Sequence, residues 1–357
     1  MPKLKGYIQE ISEHPPRKLG DVCHAETSAI ALKDIVDKNG PYPIYGAAGF
    51  VKNVDFFKQE LPYIAVVKDG AGIGRVLRLP AKSSVIGTMQ YIIPNEGINL
   101  DFLFHLLVSK KLEKYFSGST IPHIYFRDYK NEAVNVPAYG IQVAMAQTLD
   151  SITSLISLRR QQLEKLQQLA KSQFVEMFGT QQEPKYALST ITEVADEIFA
   201  GGDVPVDHTK EADELHSVPI FSNGIEHKGL YGFATTPRVT SPSITVSARG
   251  TIGCIFIRTK PFVPIIRLIV ITPNLNRINL IYLAYALDGK FTSKTGSSIP
   301  QLPVPLVKTA KVILPSLKLQ NQFASFIAHL DKSKFAIEES IRKLELLYRS
   351  KLQEYFG

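Results

Sequence analysis

The chain has 357 residues, of which 45% are hydrophobic and 21% charged, and its formal net charge is +8. This length permits two or three domains with their own cores, and the composition predicts a soluble globular protein. The opening residues predict no secretory signal, no apolar run is long enough for a membrane span, and the scattered histidines predict no metal site. The two cysteines, Cys23 and Cys254, predict reduced thiols and a cytoplasmic protein.

The first third of the chain predicts short strands separated by turn residues, and then one helix. The predicted strands are Tyr42–Gly46, Tyr63–Val67, Arg75–Leu79 and Met89–Ile93. Asn99 is a suitable N-cap for a helix that reaches about Tyr115, and the polar turn Gly118–Pro122 precedes a last strand. These patterns predict a compact part that contains both sheet and helix.

A long amphipathic segment follows. Val136-Pro137 opens it, and it ends near Phe178-Gly179. At about 1.5 Å per residue, a helix of this length spans on the order of 55 Å. Such a helix is too long to lie comfortably inside one compact domain.

The second half of the chain repeats the order of the first. Val218–Gly224 corresponds to the Tyr42 segment, and Ile278-Asn279-Leu280 corresponds to Ile98-Asn99-Leu100. Gly296–Pro300 corresponds to the turn Gly118–Pro122. The most apolar run, Phe262–Pro273, contains Arg267 and predicts one buried strand. The globular part is therefore repeated, with small shifts in spacing of the kind that loop insertions produce.

The chain ends in a second long segment that matches the first without a gap. At an offset of 178 residues, Gln142 falls on Gln320, and Phe178-Gly179 falls on Phe356-Gly357. An ungapped match of this length indicates an internal duplication, in which each half ends in the same long helix.

Both long segments carry apolar positions at alternating spacings of four and three residues, which is typical of helices that pack side by side as a coiled coil. The predicted seam of the first helix is Met145, Leu149, Ile152, Ile156, Arg159, Leu163, Leu166 and Ala170. The predicted seam of the second is Phe323, Ile327, Leu330, Lys334, Ile337, Ile341, Leu344 and Tyr348. A charged seam residue needs a partner once it is buried. Antiparallel pairing brings Arg159 towards Glu338 and Glu339. It also brings Lys334 towards Glu164. Parallel pairing places no carboxylate beside either basic residue, so we expect antiparallel helices.

We therefore predict an α/β (α+β) protein with an internal pseudo-twofold repeat. Its expected segments are a globular domain at 1–135, a spacer helix at 136–180, a second globular domain at 181–311 and a second spacer helix at 312–357. The two helices are expected to lie antiparallel as a coiled coil.

One glycine-rich segment resembles a cofactor-binding loop. Gly70-Ala71-Gly72-Ile73-Gly74 follows an apolar strand, as the phosphate-binding turn of dinucleotide and S-adenosylmethionine enzymes does. However, Arg75–Leu79 alternates like a strand, and the sister segment Arg249–Gly253 lacks the middle glycine. These features favour a hairpin turn. The sequence lacks the Asn/Asp-Pro-Pro-aromatic motif of amino-methyltransferases, the G-x-x-x-x-G-K-S/T phosphate loop and a local signature of a Ser-His-Asp triad. We therefore predict no catalytic residue.

Basic and polar residues near the predicted turns are the candidates for contact with a nucleic acid, which the basic charge of the chain favours mildly. The alternative for each of them is a solvated surface charge or an ordinary turn residue. The candidates are Lys68, Arg75, Arg78, Lys82, Arg127, Lys130, Ser222, Asn223, Arg238, Arg249, Lys290, Lys294, Ser297, Ser298 and Gln301. The acidic stretch from Glu193 to Glu214 is expected to face away from such a partner.

The repeated order resembles the specificity subunit of type I restriction–modification systems. The residues that carry the resemblance are Val136-Pro137 with Gln142, their counterparts Leu314-Pro315 with Gln320, the two Phe-Gly helix ends, and the opening Leu19–Val22. The resemblance covers essentially the whole chain. The sequence departs from the family pattern at Ile141 and Leu319, where the family often has Glu.

The resemblance implies a non-catalytic subunit with two target-recognition domains, each of which recognises one half of a bipartite target in double-stranded DNA. The antiparallel helices would fix the gap between the halves. Two methyltransferase subunits would be partners, with restriction and motor subunits as further ones. S-adenosylmethionine would be bound by the methyltransferase, so this chain itself is expected to need no cofactor, and no membrane partner is expected.

Two other classes of function remain open at this point. One is a duplicated enzyme with small-molecule or cofactor pockets, for which Gly70–Gly74 is the support. The other is a coiled-coil scaffold that binds only proteins.

Overall fold

The computed structural model describes residues 15–117, 122–291 and 301–357. They form two compact units. Unit 1 contains the described residues up to Arg160 together with Glu339–Gly357, and unit 2 contains those of Gln161–Glu338. Both long helices are divided between the units, so the four segments predicted from the sequence stay a prediction.

The first globular part, residues 15–134, belongs to unit 1. Its strands are β1 (Arg17–Lys18), β2 (Cys23–Thr27), β3 (Tyr42–Gly46), β4 (Gly49–Val54), β5 (Tyr63–Val67), β6 (Val76–Leu79), β7 (Ser84–Val85), β8 (Met89–Pro94) and β9 (Ala133–Val134). Its α-helices are α1 (Leu19–Val22), α2 (Leu100–Ser109) and α3 (Phe126–Tyr129), and 3-10 turns lie at Leu32–Ile35 and Leu112–Tyr115.

The main sheet of this part is antiparallel, with strand order β2-β8-β5-β6. Its central strand β5 is buried along its whole length, from Tyr63 to Val67. Ile64 faces Ile92 of β8 across the ladder, and both side chains pack against Phe102 and Leu106 of α2 in one core. One face of the sheet is therefore covered by α2, and the residues of β5 that face the other way lie in a separate core with Leu79, Val85 and Tyr91.

The helix that follows Asn99 is shorter than predicted. The Asn99 side chain accepts a hydrogen bond from the backbone N–H of Phe102 at 2.9 Å, which confirms the predicted N-cap. The α-helix ends at Ser109 rather than near Tyr115. Lys111 has φ +49°, and a left-handed residue interrupts the helical hydrogen-bond pattern, so that a separate 3-10 turn follows.

The first long helix, α4, runs from Tyr139 to Phe178. The second globular part, residues 188–313, then forms β10 (Leu188–Thr190), α5 (Ile191–Val194), β11 (Ala195–Ala200), β12 (His208–Thr209), β13 (Val218–Phe221), β14 (Leu230–Ala234), β15 (Ser243–Val246), β16 (Ile255–Arg258), β17 (Val263–Pro264), β18 (Ile269–Pro273), α6 (Leu280–Leu287), α7 (Val304–Thr309) and β19 (Lys311–Ile313). A 3-10 turn lies at Glu226–Gly229.

The sheet of the second part repeats the topology of the first. Its strand order is β11-β18-β15-β16, in which each strand is the counterpart of one in β2-β8-β5-β6. One prediction was wrong here: Phe262–Pro273 is not a single strand but two, β17 and β18. Ile266 and Arg267 between them have φ +51° and +64°, and this left-handed pair turns the chain.

The second long helix, α8, runs from Leu317 to Phe356. In unit 1 its C-terminal half packs beside the N-terminal half of α4, and Phe356 contacts Phe102 with ring centroids 5.4 Å apart. In unit 2 the C-terminal half of α4 packs beside the N-terminal half of α8, and Phe178 contacts Tyr282 at 4.8 Å. The helices are antiparallel in both units, as predicted, and the repeated Phe-Gly ends carry equivalent contacts.

Several residues of the predicted seam are buried in the two helices. Leu149, Ile152 and Ile156 of α4 and Ile327 and Leu330 of α8 are buried. The remaining positions of the seam towards the middle of each helix, Arg159, Leu163, Leu166, Lys334, Ile337, Ile341 and Leu344, are half-buried.

The charged residues of the helices do not all find the predicted partners. The ammonium group of Lys334 lies 3.2 Å from Asp331 of its own helix, so the predicted pairing with Glu164 was wrong. A carboxylate one turn away is reached with less ordering of two long side chains than one on the facing helix. Across the helices, Arg160 pairs with Glu345 at 2.8 Å in unit 1. The predicted approach of Arg159 to Glu338 and Glu339 stays a prediction.

Gln142 and Gln320, which we call the junction glutamines, attach each long helix to a globular part. In unit 1, Gln142 Oε1 accepts from the backbone N–H of Asn99 at 2.8 Å, and Nε2 donates to the carbonyls of Pro137 and Gly97 at 2.9 and 3.1 Å. In unit 2, Gln320 makes the same three bonds with Asn279, Pro315 and Arg277.

Both junction glutamines are buried. An amide side chain is both donor and acceptor, so it can satisfy the first N–H at the start of one helix and carbonyls beside another. This explains why glutamine is repeated at this position of the chain.

Candidate nucleic-acid interface

The Gly70–Gly74 segment is the tip of a hairpin. β5 and β6 pair antiparallel on either side of it, with Val66 opposite Val76, and Gly74 N–H donates to the Val67 carbonyl at 2.9 Å. Gly70, Gly72 and Gly74 have φ near +80°, as a tight turn requires. The predicted hairpin is confirmed. The segment does not open a helix, so it lacks the helix N-terminus that would bind the pyrophosphate of a dinucleotide.

The tip lies against residues 122–124, which are distant in sequence. Gly70 N–H donates to the Pro122 carbonyl at 3.2 Å, and Ile124 N–H donates to the Lys68 carbonyl at 2.9 Å. His123 Nδ1 is 2.6 Å from a carboxylate oxygen of Asp69, whose other oxygen is 3.9 Å from Lys68 Nζ. The tip is thus fixed by hydrogen bonds on a surface that holds Lys68 and His123 together.

Aromatic and basic side chains continue this surface. The rings of His123 and Tyr125 are stacked 6.3 Å apart, and the guanidinium of Arg127 lies 4.6 Å from the centre of the Tyr125 ring. Arg75, which follows the tip, is exposed and donates to the Ala47 carbonyl at 3.0 Å. We call Lys68, Arg75, His123, Tyr125 and Arg127 the first hairpin-tip surface.

The second globular part builds an equivalent surface. Leu302 N–H donates to the Ala248 carbonyl at 2.9 Å, which repeats the bond between Ile124 and Lys68. Asn223 Oδ1 accepts from the Ala248 N–H at 2.7 Å. Arg249 is exposed, and its Nη2 lies 3.4 Å from Oε1 of Gln301, which is also exposed. We call Asn223, Arg249 and Gln301 the second hairpin-tip surface.

The structure thus brings together some of the predicted contact residues and separates others. Lys82 lies at a turn with its ammonium 3.7 Å from Glu60, and Lys130 is exposed at the end of α3. Arg238 stacks on Phe199 at 4.8 Å, Ser222 is half-buried beside the second tip, and Lys290 lines a cavity of unit 2. Lys294, Ser297 and Ser298 lie outside the described residues, as do Gly118–Ile121 and Gly296–Pro300 of the predicted turns.

Arg78 already has carboxylate partners. It forms a bidentate pair with Asp150 of α4 at 2.6 and 2.8 Å and donates to Asp101 of α2 at 2.7 Å. Its planar guanidinium also lies 4.4 Å from the centre of the Phe104 ring. Although burial opposes the charged carboxylate, hydrogen bonds from Arg78 and then from His105 hold the pKa of Asp150 below its usual range.

His105 completes this network inside unit 1. Its Nε2 lies 2.9 Å from Asp150, and its Nδ1 lies 3.0 Å from the hydroxyl of Tyr348 on α8. The ring is fully buried, and burial lowers the pKa of His105 despite the neighbouring carboxylate. A neutral imidazole fits both contacts, with Nε2–H donating to Asp150 and Nδ1 accepting from Tyr348. The network therefore joins the first sheet and α2 to both long helices.

Sequence reasoning missed His123 and Tyr125 at the first tip. Their local signal was that two aromatic residues and Arg127 follow His123 within four positions, since aromatic and basic side chains together suit contact with a nucleic acid. This signal alone could not place them beside the glycine turn, because the contact between His123 and Asp69 spans 54 residues.

Within residues 15–117, 122–291 and 301–357, no group of three or more His, Cys, Asp or Glu side chains is placed to hold a metal ion. None of the helices described for this chain is long and apolar enough to cross a membrane.

Comparison with known proteins identifies the family. The chain matches the model of the type I restriction modification DNA specificity domain twice, over residues 12–168 and 185–346. A putative type I specificity subunit of Mycoplasma pneumoniae is 29% identical over 318 residues, which are 86% of each chain. The specificity subunit of the EcoDI type I restriction enzyme of Escherichia coli is 26% identical over 156 residues, 43% of this chain and 34% of that one.

Solved structures agree in fold. The crystal structure of a type I restriction–modification S subunit from M. genitalium aligns with a TM-score of 0.64 and 18% identity over 96% of both chains. A chain from a structural study of complex assembly and conformational transition in a type I system aligns with a TM-score of 0.57 and 15% identity, over 96% of this chain and 97% of that one.

Two copies of one sheet-and-helix part, each continued by a long helix, define the class of duplicated specificity proteins. The chain belongs to the type I restriction–modification DNA specificity family. This confirms the predicted resemblance and the predicted non-catalytic class of protein, and it does not favour a duplicated cofactor-binding enzyme.

Proposed function

We propose that this chain selects the DNA site at which the other subunits of a type I restriction–modification system act, in the cytoplasm, and that it catalyses no reaction itself. The observation that carries the proposal is the repetition of one tip geometry with different side chains. Lys68 of the first tip corresponds to Ala248, and His123 corresponds to Gln301. Two frames with one backbone arrangement and different side chains are suited to recognising two different half-sites.

Different residues of the hairpin-tip surfaces would make different contacts. Lys68, Arg75, Arg127 and Arg249 carry charges suited to backbone phosphates, which position a protein on DNA without selecting a sequence. The exposed amide of Gln301 is suited to a base edge, as glutamine can pair with adenine in the major groove. Asn223 is different, because both ends of its side chain are already bonded, to Ala248 and to Ile266 at 2.7 and 2.6 Å. Its role is to hold the tip.

Other candidates are less suited to direct contact. The guanidinium of Arg78 has two carboxylate partners and a ring beside it, so its charge is already compensated inside unit 1.

The long helices would hold the two recognition domains at a fixed separation on DNA, so that the target consists of two specified halves and an unspecified gap. This proposal is supported by the continuity of α4 and α8, each of which has 40 residues, and by their antiparallel packing in each unit. A continuous helix resists bending far better than a loop of the same length does.

We also propose that two methyltransferase subunits bind the chain, with S-adenosylmethionine bound by the methyltransferases and with restriction and motor subunits as further partners. Exposed apolar residues on the helices support a protein partner there. Leu169 and Leu347 occupy equivalent positions of the two helices and are 45% and 44% exposed. Replacing both with Lys should abolish co-purification with the methyltransferase. Full retention would contradict docking at these positions.

The test of the recognition proposal is methylation mapping by single-molecule sequencing, in cells that express the complex with this chain or a variant. Arg249→Ala combined with Gln301→Ala should alter or relax one half-site and leave the other half-site and the gap unchanged. His123→Ala combined with Arg127→Ala should affect the opposite half. If either variant changes both halves, or leaves both intact, the tips do not recognise the halves separately.

A further inference from the structure

Unit 2 contains a cavity of about 750 Å³ that the DNA-recognition proposal does not use. Its wall is formed by the end of α4, the segment after α6, and α7 with the start of β19. Phe174, Val175 and Leu306 give it an apolar side, while Gln181 and Thr309 offer polar groups. Cavities of this size and mixed lining are typical of small-molecule sites.

The charge of the lining is unbalanced. Of the described residues that line the cavity, Lys171, Lys290 and Lys311 are basic and Asp288 is acidic, which gives them a formal charge of +2. The Asp288 carboxylate forms an ion pair with Lys171, whose ammonium lies 3.3 Å away. Among the described residues, no hydrogen bond or ion pair is made by the side chain of Lys290, which is half-buried. Burial lowers the pKa of Lys290 to about 8, and no neighbouring carboxylate opposes this shift.

The first globular part contains a lysine equivalent to Lys290, and there a carboxylate lies nearby that the second part lacks. Lys110 follows α2 as Lys290 follows α6, and both donate their backbone N–H to the leucine three residues earlier. The Lys110 ammonium donates to the Ala133 carbonyl at 3.1 Å. Burial lowers the pKa of Lys110 too, but there the charge of Glu132 acts in the opposite direction.

The counterpart of Glu132 in the second part is Ala310. The equivalence is structural, because Leu19 N–H donates to the Glu132 carbonyl and Ile191 N–H donates to the Ala310 carbonyl, both at 2.9 Å, at the starts of the equivalent helices α1 and α5. The second part therefore keeps the half-buried lysine, lacks the carboxylate, and has a cavity at this place. An uncompensated ammonium at a cavity wall is unfavourable unless an anion binds to it.

We propose that this cavity binds a small ligand that carries a phosphate monoester, with Lys290 as the main contact of the phosphate. A phosphate monoester has a charge of about −1.5 to −2 at neutral pH, which matches the lining, whereas a single carboxylate would leave one positive charge unanswered. The apolar side formed by Phe174, Val175 and Leu306 would cover the organic part of the ligand.

The proposal is tested by calorimetric titration of the full chain with inorganic phosphate, with AMP and with adenosine. Phosphate and AMP should bind, and adenosine should bind about tenfold or more weakly, because it lacks the charge-assisted hydrogen bonds. Absence of AMP binding, or equal binding of adenosine, would overturn the proposal.

Three matched variants locate the site. Lys290→Gln should weaken AMP binding about tenfold or more, and Ala310→Glu should do the same by supplying the carboxylate that Glu132 supplies in the first part. Lys110→Gln should leave the AMP affinity unchanged. Because Ala310→Glu adds an ion pair and removes none, it keeps the test valid if Lys290→Gln folds poorly. Unchanged AMP affinity in Ala310→Glu would place the ligand elsewhere.

A titration of the methyltransferase complex with duplex DNA separates a small ligand from the phosphates of DNA. Lys290→Gln should leave DNA affinity unchanged while AMP affinity falls. If DNA affinity falls and AMP does not bind, Lys290 contacts the DNA backbone and the small-ligand site is refuted. This outcome would leave the recognition proposal standing, so the two proposals can fail separately.

Discussion

Replacement of the junction glutamines tests whether each globular part is fixed to its long helix by buried hydrogen bonds. Methionine has a similar length and an unbranched side chain but cannot replace the amide. Gln142→Met removes three hydrogen bonds from unit 1, and Gln320→Met removes the equivalent three from unit 2. At about 1 kcal/mol net for each bond, either variant should lose about 3 kcal/mol of unfolding free energy in its own unit.

The assay is urea denaturation combined with hydrogen exchange measured by mass spectrometry, which reports on each unit separately. Gln142→Met should weaken protection at α2 and the start of α4, and Gln320→Met at α6 and the start of α8. The double variant should be additive, because the sites share no partner. Gln147→Met is a matched control, since Gln147 is exposed on α4 and should cost less than about 0.5 kcal/mol. A loss below about 1 kcal/mol for both junction variants would refute the reasoning.

Three further predictions follow from unit 1 and from the helices. Arg78→Gln leaves Asp150 partly buried without its bidentate partner. Since both side chains are about a third exposed, urea denaturation should show that the free energy of unfolding falls by about 1–3 kcal/mol, less than for a fully buried pair. A fall below about 0.5 kcal/mol would mean that solvent replaces the pair. The pKa of His105 is lowered in the folded chain, so the unfolded chain binds more protons below about pH 6.5. The free energy of unfolding should therefore fall as the pH drops from about 6.5, and His105→Gln should flatten this dependence. An equal slope in both proteins would assign the pH dependence to other groups. Deletion of seven residues from the middle of each long helix should shorten the gap of the DNA target by about 3 base pairs, because seven helical residues span about 10 Å. Methylation mapping that shows altered half-sites with an unchanged gap would contradict the spacer role.

The comparison of the two copies shows how a duplicated fold diverges. In the first part, Arg78 pairs with Asp150, and the Lys110 ammonium donates to the Ala133 carbonyl and lies in the field of Glu132, whose carboxylate pairs with Lys114. In the second part, Ala310 stands where the first part has Glu132, and Lys290 lines a cavity. The backbone frame and the junction glutamines are present in both copies, while side chains at the hairpin tips and near Lys290 differ between them.

The sequence by itself determined the features that depend on local spacing. The 4-3 pattern predicted two long helices, the 178-residue match predicted the duplication, and the alternation after Gly74 predicted a hairpin. The antiparallel orientation was also predicted, but from pairings of the seam charges of which the one between Lys334 and Glu164 was wrong. The helices, the duplication and the hairpin are set by residues within a few turns or by the repeat itself.

Only the tertiary structure decided which polar residues act together. His123 lies beside Asp69, and Arg78 pairs with Asp150, which is 72 residues away. Lys290 lines a cavity and does not belong to a hairpin-tip surface. Such pairings depend on which strands and helices become neighbours, and a side chain has the same local pattern whether its partner is solvent, a carboxylate or a ligand. Patterns along the chain therefore predicted the frame of this protein, and long-range packing decided the chemistry of its surfaces.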